Sequence, residues 1–355
     1  MVNVKELRSV KEIPLANGEE PVILRLDMDV PKSDNKRLKN SIPTLEYLLQ
    51  NGYTPIVLGH KKRPKGIGYE EEFSLYPVYL RFKDILEKEL CREIKSTFID
   101  DITDEEKIQK AINENEIVFA ENIRFHKKEK KGDTSLYSVL QKFCQFFVYD
   151  AIAVAHRDEA SIILHREMET FYGFNFMKEF EAMQSLKKQK GQLVILGGTK
   201  KDKLDNLAKI SQESWKVFIG GKLSIFREEV EEKIIQELGE IPDNIIWAEL
   251  SPDGYDLSGS SITILKNLIK LKLKVPKIII WCGALGWFEE GYIHGTNEIA
   301  KAIIESDSYV AIGGGDTAAS IIELGGKDKI DFLCSAGGAF LFALAFGPEN
   351  LPAVA

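Results

Sequence analysis

The stretch GFNFMKEFEAMQSLKKQKGQLVILGGTK, residues 173–200, decides the fold. Residues 173–190 contain no proline and predict a single helix, and the apolar run at 193–196 that follows ends in Gly197-Gly198. This helix follows the last strand predicted in the first half of the chain and precedes the first strand of the second half. The pattern therefore predicts two lobes joined by a stiff helical connector, which suits a hinge.

On both sides of the connector, short apolar runs alternate with helical patterns. Such strands, separated by amphipathic helices, are typical of parallel sheets covered on both faces. The predicted fold is α/β, with two doubly wound, Rossmann-like lobes joined by a helix and a cleft between them. Helix starts are predicted at Ser74 and at a capping box in residues 103–106. The predicted strands are residues 22–26, 55–58, 117–120, 146–149, 193–196, 217–219, 245–248, 278–281, 309–312 and 330–333.

The composition fits a globular protein of about two domains. Of the 355 residues, 44% are hydrophobic and 29% are charged, which is ordinary for a protein with packed cores. The net charge of −8 argues against nucleic acid and membrane surfaces as partners. The four cysteines form no C-x-x-C pair, so we expect reduced thiols in a cytoplasmic protein.

Arginine is rare in this chain and is concentrated before the connector. Lysine is the default cation, and five arginines lie at or after the ends of predicted strands: Arg25, Arg37, Arg63, Arg124 and Arg157. Ligands of open parallel sheets bind at the carboxyl ends of the strands, and the planar guanidinium group suits carboxylate and phosphate oxygens. We predict that these arginines converge on an anion, although any one of them alone could be a surface ion pair.

Two histidines, His60 and His156, lie beside these arginines in the sequence. A lone histidine is more often a structural hydrogen-bonding group than a catalyst. Flanked by cations, His60 is better suited to donate a hydrogen bond to an anion than to abstract a proton. No histidine has metal-ligand spacing to another, so we predict no zinc site.

In the second half, glycines follow the predicted strands. Glycine lets the backbone approach a ligand closely, and the N-terminus of a following helix favours phosphate. With Lys200 and Lys203 after the first turn, the pattern predicts a polyphosphate site, without a P-loop or a protein-kinase motif. Asp316 is placed either to hold Mg²⁺ bound to phosphates or to cap its helix. The glycine groups are Gly197-Gly198, Gly220-Gly221, Gly283, Gly313-Gly314-Gly315 and Gly337-Gly338.

Eight stretches in register resemble the phosphoglycerate kinase family, nearly from end to end. In the first half, Arg25-Leu-Asp-Met-Asp-Val-Pro31, Gly59-His-Lys-Lys-Arg-Pro-Lys-Gly66, Glu121-Asn-Ile-Arg-Phe125 and Asp150-Ala-Ile-Ala-Val-Ala-His-Arg157 resemble R-V-D-F-N-V-P, S-H-L-G-R-P-x-G, E-N-[LV]-R-F and N-D-A-F-G-x-A-H-R. In the second half, Leu196-Gly-Gly-Thr-Lys200, Gly286-Trp-Phe-Glu289, Gly313-Gly-Gly-Asp-Thr317 and Ser335-Ala-Gly-Gly-Ala339 resemble L-G-G-A-K, G-V-F-E, G-G-G-D-[ST] and T-G-G-G-A.

The resemblance implies reversible transfer of the acyl phosphate of 1,3-bisphosphoglycerate to Mg-ADP, giving 3-phosphoglycerate and ATP, by a cytoplasmic monomer. It implies that the acid is bound by Arg25, Asp27, Asp29, Arg37, His60, Arg63, Arg124 and Arg157. It implies that the nucleotide is bound by Gly197, Gly198, Lys200, Lys203, Gly220, Gly286, Glu289, Gly315, Asp316 and Thr317, with Glu289 on the ribose and Asp316 on the metal. The phosphoryl group in transit would face Arg37, Lys203 and the amides of Gly337 and Gly338.

The expected domains follow from the connector and the resemblance together. Residues 1–172 would bind phosphoglycerate, residues 173–190 would form the connecting helix, and residues 191–340 would bind the nucleotide. Residues 341–355 would form a tail that returns to the first domain.

The sequence also departs from the family pattern, more heavily on the nucleotide side. Asp29 stands where the family has asparagine, Lys222 replaces a turn glycine, and Phe340 replaces a serine. Lys200 and Lys203 are three residues apart instead of four, which would rotate the second ammonium group. Ala336 replaces a glycine, and we expect strain there if the turn needs a positive φ.

These departures leave three functional hypotheses open. The first is an active phosphoglycerate kinase, because the predicted cations are all present. The second is a non-catalytic relative that binds phosphoglycerate or a similar anion in a regulatory or binding role. The third is a kinase for another phosphorylated acid, which Asp29 and Val154 would allow.

Overall fold

The computed structural model describes residues 7–31, 35–189, 191–271 and 278–355, and the backbone alone of residue 316. The chain divides into two compact units, Met1–Glu181 with Glu349–Ala355, and Ala182–Pro348. Within the described ranges, no helix is both long and apolar enough to cross a membrane.

The first unit alternates strands with helices around one parallel sheet. In chain order its described elements are β1 (Glu20–Leu26), α1 (Lys36–Gln50), β2 (Tyr53–Leu58), α2 (Tyr76–Leu90), β3 (Ser96–Ile99), α3 (Glu105–Glu114), β4 (Ile117–Ala120), α4 (Lys127–Lys130), α5 (Leu140–Phe143), β5 (Phe146–Asp150), α6 (Ala160–Ile163), β6 (Glu169–Tyr172) and α7 (Phe174–Lys187), the last of which continues into the second unit.

The strands of the first unit pair in parallel in the order β3-β4-β2-β1-β5-β6. Strands β2 and β4 are buried along their whole length because helices cover both faces of the sheet. The chain passes from β1 to β2 on one side and from β5 to β6 on the other. The direction of winding therefore changes between β1 and β5, and ligands of doubly wound sheets bind at such a switch point.

The second unit repeats this architecture. In chain order its described elements are β7 (Gln192–Leu196), α8 (Leu207–Glu213), β8 (Lys216–Ile219), α9 (Arg227–Leu238), β9 (Ile245–Trp247), α10 (Gly259–Lys270), β10 (Ile278–Cys282), α11 (His294–Ile304), β11 (Tyr309–Gly313), α12 (Gly315–Glu323), β12 (Phe332–Cys334) and α13 (Gly337–Phe346). The strands are parallel in the order β9-β8-β7-β10-β11-β12, the dinucleotide-binding arrangement, with its switch point between β7 and β10.

The ten predicted strands all appear, within one or two residues at most ends, but β3 and β6 were not predicted. Both lie at the edges of the first sheet, where burial is incomplete. Their sequences, STFI and ETFY, mix polar and apolar residues and so lack the continuous apolar run that marks the central strands.

Both predicted helix caps lie one residue before the N-cap that the structure shows, which is Leu75 for α2 and Asp104 for α3. Helix α3 is capped by Asp104, whose carboxylate accepts from the Lys107 amide at 3.1 Å, and the Thr103 hydroxyl donates to Asp101 instead. Aspartate is as good an N-cap as threonine, so the cap moved by one residue. At the start of α2, the Ser74 hydroxyl accepts from the amide of Tyr76, the first helical residue, at 3.1 Å.

The start of α7 is held by buried side chains of the first unit. The Thr44 hydroxyl accepts from the Phe174 amide at 2.9 Å and donates to the Asp150 carboxylate at 2.6 Å. Asp150 in turn accepts from the Phe176 amide at 2.7 Å, and burial raises the pKa of this carboxyl to about 7. The sequence predicted the helix but not these anchors, which depend on residues far apart in the chain.

The end of the chain differs from the predicted tail. Residues 341–346 belong to α13, whose last carbonyls in the second unit accept from the Lys187 ammonium. Residues 349–355 lie in the first unit, where the Ala353 amide donates to the Ala155 carbonyl at 3.1 Å. The tail that belongs to the first unit is therefore shorter than residues 341–355.

Candidate active site

A group of charged side chains lies at the carboxyl edge of the first sheet, and we call it the arginine cluster. Its members come from the ends of β1, β2, β4 and β5 and from the first turn of α1. Because β1 and β5 flank the switch point, the cluster occupies the edge where this type of sheet binds ligands. The members are Arg25, Asp27, Asp29, Arg37, His60, Arg124, Arg157 and Glu159.

His60 is the centre of the arginine cluster. Burial lowers its pKa well below the usual value, and the positive charges of Arg25, Arg124, Arg157 and Arg37 lower the pKa further. Arg25 Nη2 lies 3.0 Å from His60 Nδ1. Because a guanidinium group can only donate, Nδ1 must accept and the proton must sit on Nε2. At neutral pH the ring is therefore uncharged and presents an Nε2–H donor.

Asp27 is a buried carboxyl group without a hydrogen-bond partner among the described residues. Burial raises its pKa, an effect that the charges of Arg37 and Arg25 oppose. Arg37 Nη1 lies 3.3 Å from Asp27 Oδ2 and also donates to the Asp29 carbonyl at 3.2 Å. An unsatisfied buried oxygen costs about 1–3 kcal/mol, so Asp27 is well suited to accept a hydrogen bond from a ligand hydroxyl.

Arg124 and Arg157 share one carboxylate, Glu159. Arg124 is buried, and its Nη2 donates to the two oxygens of Glu159 at 2.7 and 2.9 Å, while its Nε donates at 3.1 Å. Arg157 Nη1 reaches the same carboxylate at 3.4 Å. Burial lowers the pKa of Arg124, and the charge of Glu159 offsets part of that effect. Glu159 was not among the predicted site residues, although it lies two residues after Arg157 in the same loop.

The Arg25 guanidinium is positioned by Ser161, Glu129 and Tyr137, which were not among the predicted site residues. Its Nε donates to the Ser161 hydroxyl at 3.0 Å, and that hydroxyl donates to Glu129 at 2.6 Å. The Tyr137 hydroxyl donates to the other oxygen of Glu129 at 2.6 Å. Burial raises the pKa of Glu129, which the hydrogen bonds from Ser161 and Tyr137 oppose. This chain of contacts fixes the Arg25 guanidinium beside His60.

The structure brings four of the five predicted arginines together and leaves the fifth apart. Arg63 is exposed and makes no hydrogen bond or ion pair with the described part of the chain. Asp29, the departure from the family pattern, lies 4.0 Å from His60 Nε2 and 3.9 Å from Lys62 Nζ. It therefore adds a carboxylate beside the donor that His60 presents.

In the second unit, two glycine turns pack directly against each other at the switch point. The Gly198 amide donates to the Ala284 carbonyl at 2.7 Å, and a Cβ added at Gly197 would lie 2.4 Å from that oxygen. Across the same junction, Lys203 Nζ donates to the Gly197 carbonyl at 2.7 Å and to the Cys282 carbonyl at 3.4 Å. Turn packing alone thus requires a glycine at residue 197, in addition to the ligand approach that the sequence pattern predicts there.

Two other predicted glycines face open space at the starts of helices. A Cβ added at Gly315 would meet nothing within 4 Å, and one at Gly337 would meet only backbone atoms 3.8 Å or more away. Ala336, which precedes the second of these helices, has φ −129°, so the expected strain at this alanine is wrong. The turn does not need a positive φ there, so the alanine causes no backbone strain before α13.

The remaining residues predicted to bind the nucleotide differ in burial and in contacts. Thr317 is buried, and its hydroxyl accepts from the Gly283 amide at 2.8 Å. Gly220 and Gly286 pack against neighbouring groups of their own unit. Lys200 and Glu289 are exposed. The predicted role of the Asp316 side chain lies outside the described residues.

An aromatic group next to the Gly286 turn was also not predicted. Lys222 Nζ lies 4.3 Å from the centroid of the Trp287 ring, within the range of a cation–π contact. Tyr255 packs against Trp287 and Tyr292, with ring centroids 5.2 and 4.9 Å away. Lys222, which replaces a turn glycine of the family pattern, therefore lies over the indole ring of Trp287.

Within the described ranges, no group of three or more histidine, cysteine, aspartate or glutamate side chains could hold a metal ion. A metal held mainly by phosphate oxygens needs fewer protein ligands. The backbone of residue 316 lies in the first turn of α12.

The fold consists of two doubly wound α/β units, and the first unit carries an arginine cluster at the edge where such sheets bind ligands. The family model described as phosphoglycerate kinase matches residues 11–241 and 249–345. The chain is 30% identical to the phosphoglycerate kinase of Campylobacter hominis over 395 aligned positions, covering 95% of this chain and 94% of that protein. It is also 30% identical to that of Thermosipho africanus over 407 positions, covering 99% and 97%. The chain belongs to the phosphoglycerate kinase family.

Solved structures agree on the fold. The phosphoglycerate kinase of Pyrococcus horikoshii superposes with a TM-score of 0.73 at 23% identity, covering 98% of this chain and 97% of that one. The enzyme of Coxiella burnetii gives 0.68 at 24% identity, covering 98% of each chain. The family model and the two relatives confirm the predicted family and class of enzyme, and the solved structures confirm the predicted α/β fold class.

Proposed function

We propose that the chain catalyses reversible phosphoryl transfer between 1,3-bisphosphoglycerate and ADP, giving 3-phosphoglycerate and ATP, and that the arginine cluster binds the acid. The observation that carries this assignment is the buried, neutral His60 with four guanidinium groups around it. Such a concentration of cations attracts an anion, and the three carboxylates of Asp27, Asp29 and Glu159 offset only part of the charge of the four arginines. Membership of the family supplies the reaction, and the cluster supplies a place for the acid.

The cluster matches the three functional groups of 3-phosphoglycerate. Guanidinium groups suit its carboxylate and phosphate, both of which accept paired N–H donors. His60 Nε2–H adds a neutral donor, and Asp27 offers Oδ1, the oxygen that is not paired with Arg37, as a buried acceptor for the hydroxyl group. We include Arg25, Arg37 and Asp29 in this site, and Arg63 as a cation that an incoming ligand would recruit from solvent.

The second unit would bind ADP or ATP. The open helix starts at Gly315 and Gly337 provide backbone amides and the positive end of a helix dipole for phosphates. We propose Lys200, Lys203 and the Gly197-Gly198 turn as further phosphate contacts, Thr317 and the Gly220 and Gly286 turns as the surrounding frame, and Glu289 as the ribose ligand.

Mg²⁺ would arrive with the nucleotide and would be held by its phosphates and by Asp316. The ion neutralises phosphate charge when bound. The open start of α12 at Gly315 leaves room for such a group next to residue 316.

Catalysis in this proposal needs no protein nucleophile. In-line phosphoryl transfer depends on alignment and on positive charge around the moving oxygens. Arg37, Lys203 and the amides of Gly337 and Gly338 would supply that charge. Lys203 is held at the switch point of the second sheet, where ligands of this fold bind.

A coupled assay with 1,3-bisphosphoglycerate and Mg-ADP tests the proposal. Arg37→Ala and Lys203→Ala should each lower kcat by about 10²–10³-fold, the usual cost of removing a group that stabilises transition-state charge. Arg92→Ala removes an exposed guanidinium paired with Glu116 and serves as the matched control. Activity that survives both active-site variants would reject the mechanism. Binding of 3-phosphoglycerate without any binding of nucleotide would instead favour the non-catalytic role.

We further propose that Met1–Glu181 with Glu349–Ala355 is the acid-binding domain and Ala182–Pro348 the nucleotide-binding domain of a cytoplasmic monomer. The four cysteines are free thiols, which suits a reducing compartment. Size-exclusion chromatography with light scattering checks the oligomeric state.

A further inference from the structure

A carboxylate of the protein itself occupies the arginine cluster. Glu159 accepts from Nη2 and Nε of Arg124, and it lies within 3.4 Å of Arg157. Arg124 Nη1 donates to the Lys62 carbonyl at 2.6 Å. A guanidinium group binds phosphate best through two N–H groups on one side. The Nε–Nη2 side of Arg124 is already engaged in this way and Nη1 is bonded to a carbonyl, so an anion cannot take a paired contact on the Nε–Nη2 side until Glu159 moves.

We propose that Glu159 is a specificity-determining residue that competes with the substrate anion for Arg124 and Arg157. This inference deepens the proposed function and depends on it only for the identity of the acid. In the ligand-free protein the carboxylate neutralises two cations of the cluster. A ligand must displace it or bind beside a fixed negative charge. Anions with a single weakly charged group are therefore disfavoured relative to an acid that carries both a carboxylate and a phosphate.

The surroundings of Glu159 favour displacement over a purely structural role. Its carboxylate contacts the two arginines, and its side chain keeps 13% of its surface exposed directly before the four-residue helix α6. Glu129 in the same unit shows the contrast, because it is fully buried and accepts from the hydroxyls of Ser161 and Tyr137. A carboxylate fixed by neutral buried donors is structural, whereas one paired only with binding-site cations can exchange with another anion.

Calorimetric titration of inorganic phosphate and of 3-phosphoglycerate tests the inference. Glu159→Gln keeps the shape and one acceptor oxygen but removes the charge. We expect the dissociation constant of inorganic phosphate to fall about tenfold, as expected for the loss of one like charge a few ångströms from the ligand. The KM for 3-phosphoglycerate should fall as well, and the KM for nucleotide should not change. Glu169→Gln, which removes a charge from an exposed pair with Arg8, is the matched control.

The outcomes separate this inference from the proposed function. Unchanged or weaker phosphate binding by Glu159→Gln overturns it and shows that Glu159 only orients Arg124. Tighter phosphate binding without any turnover of 3-phosphoglycerate supports it while rejecting the proposed reaction. If the variant does not fold, the Glu159 Cδ resonance of the wild-type protein gives the answer during a phosphate titration: a shift supports displacement, and an unmoved resonance at saturation refutes it.

Discussion

Replacing His60 by asparagine tests the electrostatics of the arginine cluster without any ligand. Asparagine keeps an acceptor for the Arg25 guanidinium but cannot take up a proton. In the wild-type protein, burial and four arginines lower the pKa of His60, so the folded state stays neutral where the unfolded state becomes protonated. Lowering the pH below the unfolded-state pKa of this histidine therefore destabilises the wild-type protein. The variant lacks the imidazole and does not lose stability for this reason.

The size of the effect follows from the unfolded reference value. With an unfolded-state pKa of about 6.5 and a folded ring that stays neutral, a change from pH 7.5 to 6.0 costs about 0.8 kcal/mol of unfolding free energy. Other groups that titrate in this range, Asp150 among them, contribute equally to both proteins and cancel in the comparison. The stability of the wild type should thus fall by about 0.8 kcal/mol more than that of His60→Asn.

Urea unfolding at the two pH values measures this difference. All four tryptophans lie in Ala182–Pro348, so their fluorescence follows the second unit, and far-ultraviolet circular dichroism follows both units. The transition that lacks a fluorescence change belongs to the first unit. His294→Asn, which removes an exposed histidine of the second unit, is the control for loss of an imidazole. Parallel pH dependences of wild type and His60→Asn in the first-unit transition would refute the reasoning.

Three further changes test other parts of the account. Ser161→Ala should cost about 1–3 kcal/mol in urea unfolding, because Arg25 and Glu129 each lose a buried partner; an unchanged midpoint would contradict this. Asp150→Asn should flatten the pH dependence of stability. The Asp150 carboxyl has a pKa of about 7 in the folded state, above its unfolded-state pKa, so the wild-type protein loses stability as pH rises from about 4 to 7. Equal slopes for the wild type and the variant would contradict this. Gly197→Ala should destabilise the second unit, since the new Cβ would lie 2.4 Å from a carbonyl oxygen. Gly315→Ala should fold normally and weaken nucleotide binding in a calorimetric titration, because its Cβ would point into open space at the start of α12. Normal stability of Gly197→Ala together with unfolding of Gly315→Ala would contradict these roles.

The fold was largely predictable because its central strands are buried on both faces. Continuous apolar runs marked β1, β2, β4 and β5, and their alternation with helices required parallel sheets. The edge strands β3 and β6 gave no such pattern because one side of each remains partly exposed. The helix cap at α3 was misplaced by one residue, since adjacent threonine and aspartate are both good caps.

The candidate site was predictable where a residue type is rare and not where it is common. Arginines stood out in a lysine-rich chain, and four of them lie around His60. Glu159 and Glu129 did not stand out among 55 acidic residues, because only the folded chain shows that they reach Arg124 and Ser161. Glycine patterns were ambiguous for a similar reason. Turn packing requires Gly197, whereas Gly315 lies at a helix start with open space around it, and the sequence does not distinguish the two cases.

The most direct test of the arginine cluster as the acid-binding site is a nitrogen-15 NMR titration of His60. The account predicts a neutral ring protonated at Nε2 in the free protein, a shift of the Nε2–H resonance on addition of 3-phosphoglycerate, and no shift on addition of ADP alone. A charged imidazole in the free protein, or a ring that does not respond to saturating 3-phosphoglycerate, would contradict it.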